Sequence, residues 1–296
     1  MDFHIEVGTD EQRKLIRSEM SVFQHVAEDL GVLGAITEVI VPRCFEKTIR
    51  ELAQDTSFAE NRDYHQVMAK IVEMGKGTAI VIAPWLFTEG FDTQIRIGVY
   101  VHEIAHVWNR QRFPDRQGET PAEAFYGENL YTLFDEYAAE RLSLETCACF
   151  FDEPTQLCQK HTESAFWSFL DDLDDQTSYD VLLNAAGAVR LGLMDVGQYQ
   201  ETLQPLFDRS SKALIYAAAY IDSTTPFGDH RDALHAKRLV GGAALRLVEY
   251  FHHKHEAADY DLCDGLSTMK EYIASLGFVI EDVAEALYCR IVGVSL

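Results

Sequence analysis

The chain has 296 residues, 47% of them hydrophobic and 25% charged. That is enough for one large or two modest globular domains, and it argues against wholesale disorder. Asp and Glu number 48 against 25 Lys and Arg, a formal net charge of -23, so the surface repels phosphate backbones and anionic membranes and direct nucleic-acid binding is not expected.

The first residues, MDFHIEVGTDEQRK, lack the basic region and following apolar stretch of a signal peptide. Nowhere does the sequence approach about 18 uninterrupted apolar residues, so no membrane partner or membrane span is expected. Six cysteines in a chain of this length then read as reduced thiols of a cytoplasmic protein.

Taken in order, FHIEV (3–7) alternates like a strand. Thr9 and Gln12 have capping-box spacing ahead of Leu15, Met20, Phe23, Val26 and Leu30, which predicts a helix ending at Gly31. ITEVIVP (36–42) reads as a β-branched strand stopped by proline, and FEKTIRELAQ (45–54) and HQVMAKIVEM (65–74) read as helices. GTAIVIAP (77–84), a short apolar run between glycine and proline, is the clearest strand, and as an edge strand it could pair with an extended peptide. Asp92 is placed to cap a helix running to about Gln111, and a loop containing Pro114, Gly118 and Pro121 follows. A long helix is expected over 129–146. Beyond it only helical patterns are visible, in DVLLNAAGAVRLGLM, KALIYAAAYI, LHAKRLVGGAALRLVEYF and EDVAEALYCRIV. The acidic run DDLDD (171–175) lacks the glycine and spacing of a calcium loop and reads as solvated.

Within the helix that follows Asp92, VYVHEIAHVWN carries His102, Glu103 and His106 in the order H-E-x-x-H. Residues four apart share one helix face, so the two imidazoles can address one ion, at about 2.0–2.1 Å for zinc. Glu103 is turned aside from that face, where its carboxylate can take a proton from a bound water. Ile97, Val101, Ile104 and Trp108 form one apolar stripe, and Ile95, Val99 and His102 lie on another, so this helix is buried and its histidines need partners. Gly98 in its interior suggests a close neighbour, with the GTAIVIAP strand as the candidate. With 11 histidines in the chain, a chance match has a probability of about a few per cent.

A catalytic zinc needs a third protein ligand and an open position. The pattern H-E-x-x-H-x-x-G-x-x-H is excluded, because Asn109 and Arg112 stand where it needs glycine and histidine. A carboxylate on the next helix is the alternative. FDEYAAERLS offers Glu136, 30 residues after His106, with Ala138 and Ala139 leaving room for close approach. Glu123, Glu128, Asp135 and Glu140 compete for the role.

HEIAH followed by E-x-x-A-E (136–140) resembles the gluzincin zinc metallopeptidases. The strand–helix order is also similar to that of the small ImmA/IrrE-like peptidases. The resemblance covers roughly residues 77–146. It implies zinc bound by His102, His106 and Glu136, with Glu103 as general base. It also implies a supporting role for Glu140, where many members have aspartate. Members often steady the oxyanion with a downstream side chain. His230, in an expected turn GDH, is the first candidate, with Tyr126, Tyr220 and His235 behind it.

Two weaker signals remain. Cys147, Cys149, Cys158 and His161 lack the spacing of a standard zinc finger and read as core residues. His252, His253 and His255 read as a solvated helix end.

The expected architecture is α+β: a zincin-like mixed α/β catalytic domain over 1–150, then an all-helical domain over 151–296. The expected function is zinc-dependent hydrolysis of a peptide bond in a peptide or protein substrate. The rival is a non-catalytic or latent regulator that uses the scaffold to hold a protein partner. An intact Glu103 argues against it, because scaffolding does not need that carboxylate.

Overall fold

The computed structural model describes the chain except residues 55–66, 76, 89, 115–118, 152, 224–227 and 284–285, and except the side chains of 228, 229 and 286. The chain divides into two compact units, Met1–Arg112 with Leu142–Thr162, and Phe113–Arg141 with Glu163–Leu296.

The first unit is built on a four-stranded sheet of β1 (Asp2–Ile5), β2 (Ile36–Val41), β3 (Ala69–Met74) and β4 (Gly77–Ile82), in the order β1-β2-β4-β3. β1, β2 and β4 are mutually parallel, and β3 is antiparallel to β4. Helix α1 (Asp10–Asp29) begins with the expected reciprocal bonds between Thr9 and Gln12. It ends on Gly31 at φ +70°, where Gly31 N–H bonds Glu28 O and Val32 N–H bonds Ala27 O. These two bonds satisfy carbonyls that the helix end leaves unpaired.

Ile16, Met20 and Phe23 of α1 form one core with Val39, Ile80 and Ile82 of the sheet and with Ile97, Val101 and Ile104 of α3 (Thr93–Arg110). Val81 and Ala83 face the other way, against Phe45 and Ile49 of α2 (Phe45–Ala53). β4 is therefore covered on both faces, which is why its sequence is a continuous apolar run rather than an alternation.

Two expectations about this sheet are corrected. HQVMAKIVEM is not a helix. His65 and Gln66 lie outside the described residues, and Ala69–Met74 is strand β3, with Ile71 opposite Ile80 and Met74 opposite Gly77. A short apolar run fits either period. Here pairing with β4 decides, helped by Gly77 at φ +134°, a conformation that side chains rarely adopt. β4 is consequently an inner strand, and among the described residues the edge expected of AIVIAP belongs to β3.

The predicted helix over 129–146 is longer, spanning Pro121–Phe150 as α4. Pro121, expected in a loop, is its first residue, and Gly118 of that loop lies outside the described residues. Thr120 and Glu123 exchange side-chain and backbone hydrogen bonds at 3.1 and 3.3 Å. Proline fits there because its missing N–H would have no partner.

The second unit contains residues 121–141 of α4 and the later part of α5 (Gln156–Leu173). These are followed by α6 (Gln176–Arg190), α7 (Val196–Ser223), α8 (Gly228–His235), α9 (Gly242–Glu256) and α10 (Leu266–Ser275). LHAKRLVGGAALRLVEYF is broken between α8 and α9, with Gly241 as the cap of α9. Of EDVAEALYCRIV, Ala284 and Glu285 lie outside the described residues and the rest is not helical, so the later half is not all-helical. β5 (Phe278–Val283) and β6 (Ala286–Ile291) form an antiparallel pair. The Tyr126 hydroxyl accepts from Ile280 N–H at 2.7 Å and donates to Ile280 O at 3.1 Å. Both backbone groups of a buried residue are thereby satisfied in the extended form. Among the described residues no helix is long and apolar enough to cross a membrane.

Candidate metal centre

Helix α3 is capped as expected, with Asp92 accepting from Ile95 N–H at 3.0 Å. It is buried on most sides, including Glu103 and His106, while His102 is half-buried. The neighbour that Gly98 makes room for is α4, not the strand. A Cβ at Gly98 would lie 3.4 Å from Ser143 Oγ and 3.5 Å from Cys147 Sγ. Ser143 Oγ donates to Gly98 O at 2.8 Å, and Cys147 Sγ lies 4.0 Å from Gln94 O.

Pairing Gly98 with Ser143 and Gln94 with Cys147 makes the two helices antiparallel. Ala138 and Ala139 are fully buried.

The outcome is one convergent group. His102 Nε2 and His106 Nε2 lie 3.1 Å apart, with their rings at 84°. The ligand atoms of His102, His106 and Glu136 all lie within 4.8 Å of one another. Two nitrogens at about 2.0–2.1 Å from a tetrahedral zinc are about 3.3 Å apart, so the observed pair needs little adjustment to share one ion. Two imidazoles and a carboxylate form a ligand set suited to zinc. Glu103 is rotated by about 100° from His102 around the helix axis.

Among the described residues this is the one such group of three or more His, Cys, Asp and Glu side chains. The competing carboxylates are placed differently. Glu123 caps α4, and Glu128 is exposed. Asp135 is buried beside Glu136, and Glu140 is half-buried one turn further on.

Glu136 has partners that the sequence reading missed. Tyr216 Oη donates to Glu136 Oε2 at 2.5 Å, and Lys212 Nζ lies 3.3 Å from Oε1. The visible signal was the spacing of Lys212 and Tyr216 in KALIY, four apart and so on one face of α7. The next residue, Tyr137, donates to Asp222 Oδ2 at 2.6 Å. Burial, reinforced by the Asp222 charge, raises the Tyr137 pKa and keeps the phenol protonated.

The candidates for an oxyanion partner lie in other settings. His230 belongs to helix α8 rather than a turn, and its ring lies 4.9 Å from Phe166 and 5.9 Å from Trp167. Tyr220 stacks on Phe166 at 4.6 Å, Tyr126 holds Ile280, and His235 is exposed. Among the described residues Cys147, Cys149, Cys158 and His161 form no ligand group. Of the late histidines only His253 is well exposed. His252 Nδ1 lies 3.3 Å from buried Asp222, and His255 packs edge-on against Tyr137.

Comparison with family models, with curated proteins and with solved structures gives no match to this chain. The functional argument therefore rests on the geometry of the site.

Proposed function

We propose that this chain is a zinc-dependent peptidase with His102, His106 and Glu136 as metal ligands and Glu103 as general base. The observation that carries the reading is the convergence of three potential ligand atoms within 4.8 Å, two of them from a motif that also supplies a buried carboxylate. When bound there, zinc supplies a Lewis acid and lowers the pKa of a coordinated water. Glu103 takes the proton of the attacking water and delivers it to the departing amine nitrogen. The apolar packing of Ile97, Val101 and Ile104 anchors α3, the helix that carries both histidines and Glu103.

The edge strand β3 supports a peptide as substrate. Among the described residues one side of β3 has no strand partner within the sheet, and an extended chain can add to such an edge. β3 is tied to the histidine helix by Arg110 and Glu73, 2.8 Å apart.

The test compares wild type with Glu103→Gln for zinc content and for cleavage of a peptide library. Both proteins should carry about one zinc per chain, because the three ligands are unchanged. Hydrolysis should fall by at least about 10²–10⁴-fold, the usual contribution of a positioned general base. Equal rates would remove Glu103 from the mechanism, and absence of zinc after gentle purification would sink the reading as a whole.

A further inference from the structure

We propose that Tyr216 and Lys212 act on the third ligand in opposite senses: the Tyr216 hydroxyl positions Glu136 for a metal ion, and the Lys212 ammonium opposes the ion. This inference rests on the reading of His102, His106 and Glu136 as a metal site.

Lys212 and Tyr216 sit one turn apart on α7 and address different oxygens of one carboxylate. Tyr216 is half-buried, its ring 5.3 Å from Phe169, and it donates to Oε2 at 2.5 Å. A neutral phenol donating to a carboxylate makes a strong, charge-assisted bond. It fixes the rotation of the carboxylate yet leaves its negative charge available. Partners of this kind orient metal ligands, and their loss typically costs about 10–100-fold in metal affinity.

Lys212 is a different kind of partner. Its amine is 3.3 Å from Oε1, and its side chain is 54% exposed against 17% for Glu136. It carries a full positive charge beside an oxygen that a metal ion would use. A dication there repels the ammonium, and the ion pair with Glu136 must weaken as the ion binds. The side chain has somewhere to go. Most of it is in solvent, and Asp208 lies one turn earlier on α7, close enough for the Lys212 charge to act on its carboxyl. An exposed pair of this type contributes about 0.2–1 kcal/mol, so removing the lysine should tighten metal binding by roughly 2–5-fold.

The signs of the two effects separate this proposal from a merely structural role, in which both substitutions would loosen the site. Salt separates them again. The Lys212 effect is a charge effect at a half-exposed position and is screened, whereas the Tyr216 bond is a partly buried hydrogen bond from a neutral group and is not.

The experiment titrates zinc alone into the chelator-treated, dialysed full chain against a chromophoric competitor. It uses wild type, Tyr216→Phe and Lys212→Met at low and at high ionic strength. Thermal unfolding in chelator confirms that each variant is folded. Tyr216→Phe should bind zinc about 10–100-fold more weakly at both salt concentrations. Lys212→Met should bind it roughly 2–5-fold more tightly at low salt, with the gain shrinking as salt is raised. Unchanged affinity in Tyr216→Phe, or weaker affinity in Lys212→Met, overturns the proposal and leaves the metal site standing. If wild type takes up no zinc, the metal site itself is refuted and this proposal goes with it.

Discussion

Arg96 donates to both carboxylate oxygens of Glu19, at 2.6 to 3.1 Å, and both side chains are at least 95% buried. The Tyr100 hydroxyl adds a third donor at 2.9 Å, and Arg96 also reaches Phe91 O at 2.6 Å. The pair clamps α1 onto α3 two residues before Gly98, where α3 meets α4.

Breaking that clamp on one side leaves a buried charge without compensation. Glu19→Ala should therefore destabilise the protein by about 3–5 kcal/mol in urea unfolding. The double variant Glu19→Met with Arg96→Met should lose clearly less, because no charge remains buried. A loss below about 1 kcal/mol in the single variant would mean that water or another side chain takes over the pairing.

The choice of third ligand is checked by metal content. Glu136→Ala should strip most of the zinc, since two histidines alone hold it poorly. Glu140→Ala should weaken affinity less, by about 10–100-fold at most. The reverse order would move the ligand role to Glu140.

Gly98 tests whether the contact of α3 with α4 sets the site. Gly98→Ala adds a methyl in ordinary contact with Ser143 and Cys147 and improves helix propensity by about 1 kcal/mol, so thermal stability should rise slightly with zinc affinity unchanged. Gly98→Leu overfills the same contact, should cost about 1–3 kcal/mol, and should lower zinc affinity by pushing Glu136 away. Equal zinc affinity in Gly98→Leu and wild type would show that the contact does not position the ligand.

Lys254 gives a pH-dependent signature of its own. Its amine lies 2.6 Å from Asp259 Oδ2, 2.6 Å from Asp261 O and 3.0 Å from Asp264 Oδ1. Its hydrogen bond holds the Asp259 carboxyl below the usual carboxylate range. The Tyr250 hydroxyl, helped by Lys254, does the same for Asp264. A depressed carboxylate pKa contributes stability that is present above its unfolded value, about 4, and lost as pH falls through the folded value. The stability difference between wild type and Lys254→Met, read by urea unfolding, should therefore be largest near neutral pH and shrink toward pH 3. A difference that stays constant across that range would assign the effect to packing of the lysine stem alone.

Much of this molecule is written locally. The Thr9–Gln12 cap, Asp92 at the start of α3 and the run GTAIVIAP depend on residues a few positions apart, so the sequence predicts them. The same holds for His102, Glu103 and His106, whose relation is fixed by helix geometry. The chain by itself also narrowed the proposed third ligand to a few carboxylates on the next helix.

What the sequence could not decide was every feature set by a distant partner. Residues 69–74 are a strand because β4 offers an edge, and 278–291 form a strand pair that Tyr126, more than 150 positions away, holds at Ile280. Both runs satisfy the helical and the strand period, so the backbone hydrogen bonds available in three dimensions choose between them. Glu136 stands out among its competitors because its ligand atom lies within 4.8 Å of those of His102 and His106. Its partners Tyr216 and Lys212, some 80 residues on, reach it only because α7 folds back against α4 within the second unit. Such contacts depend on loop closure and side-chain packing over long separations, which no local spacing encodes.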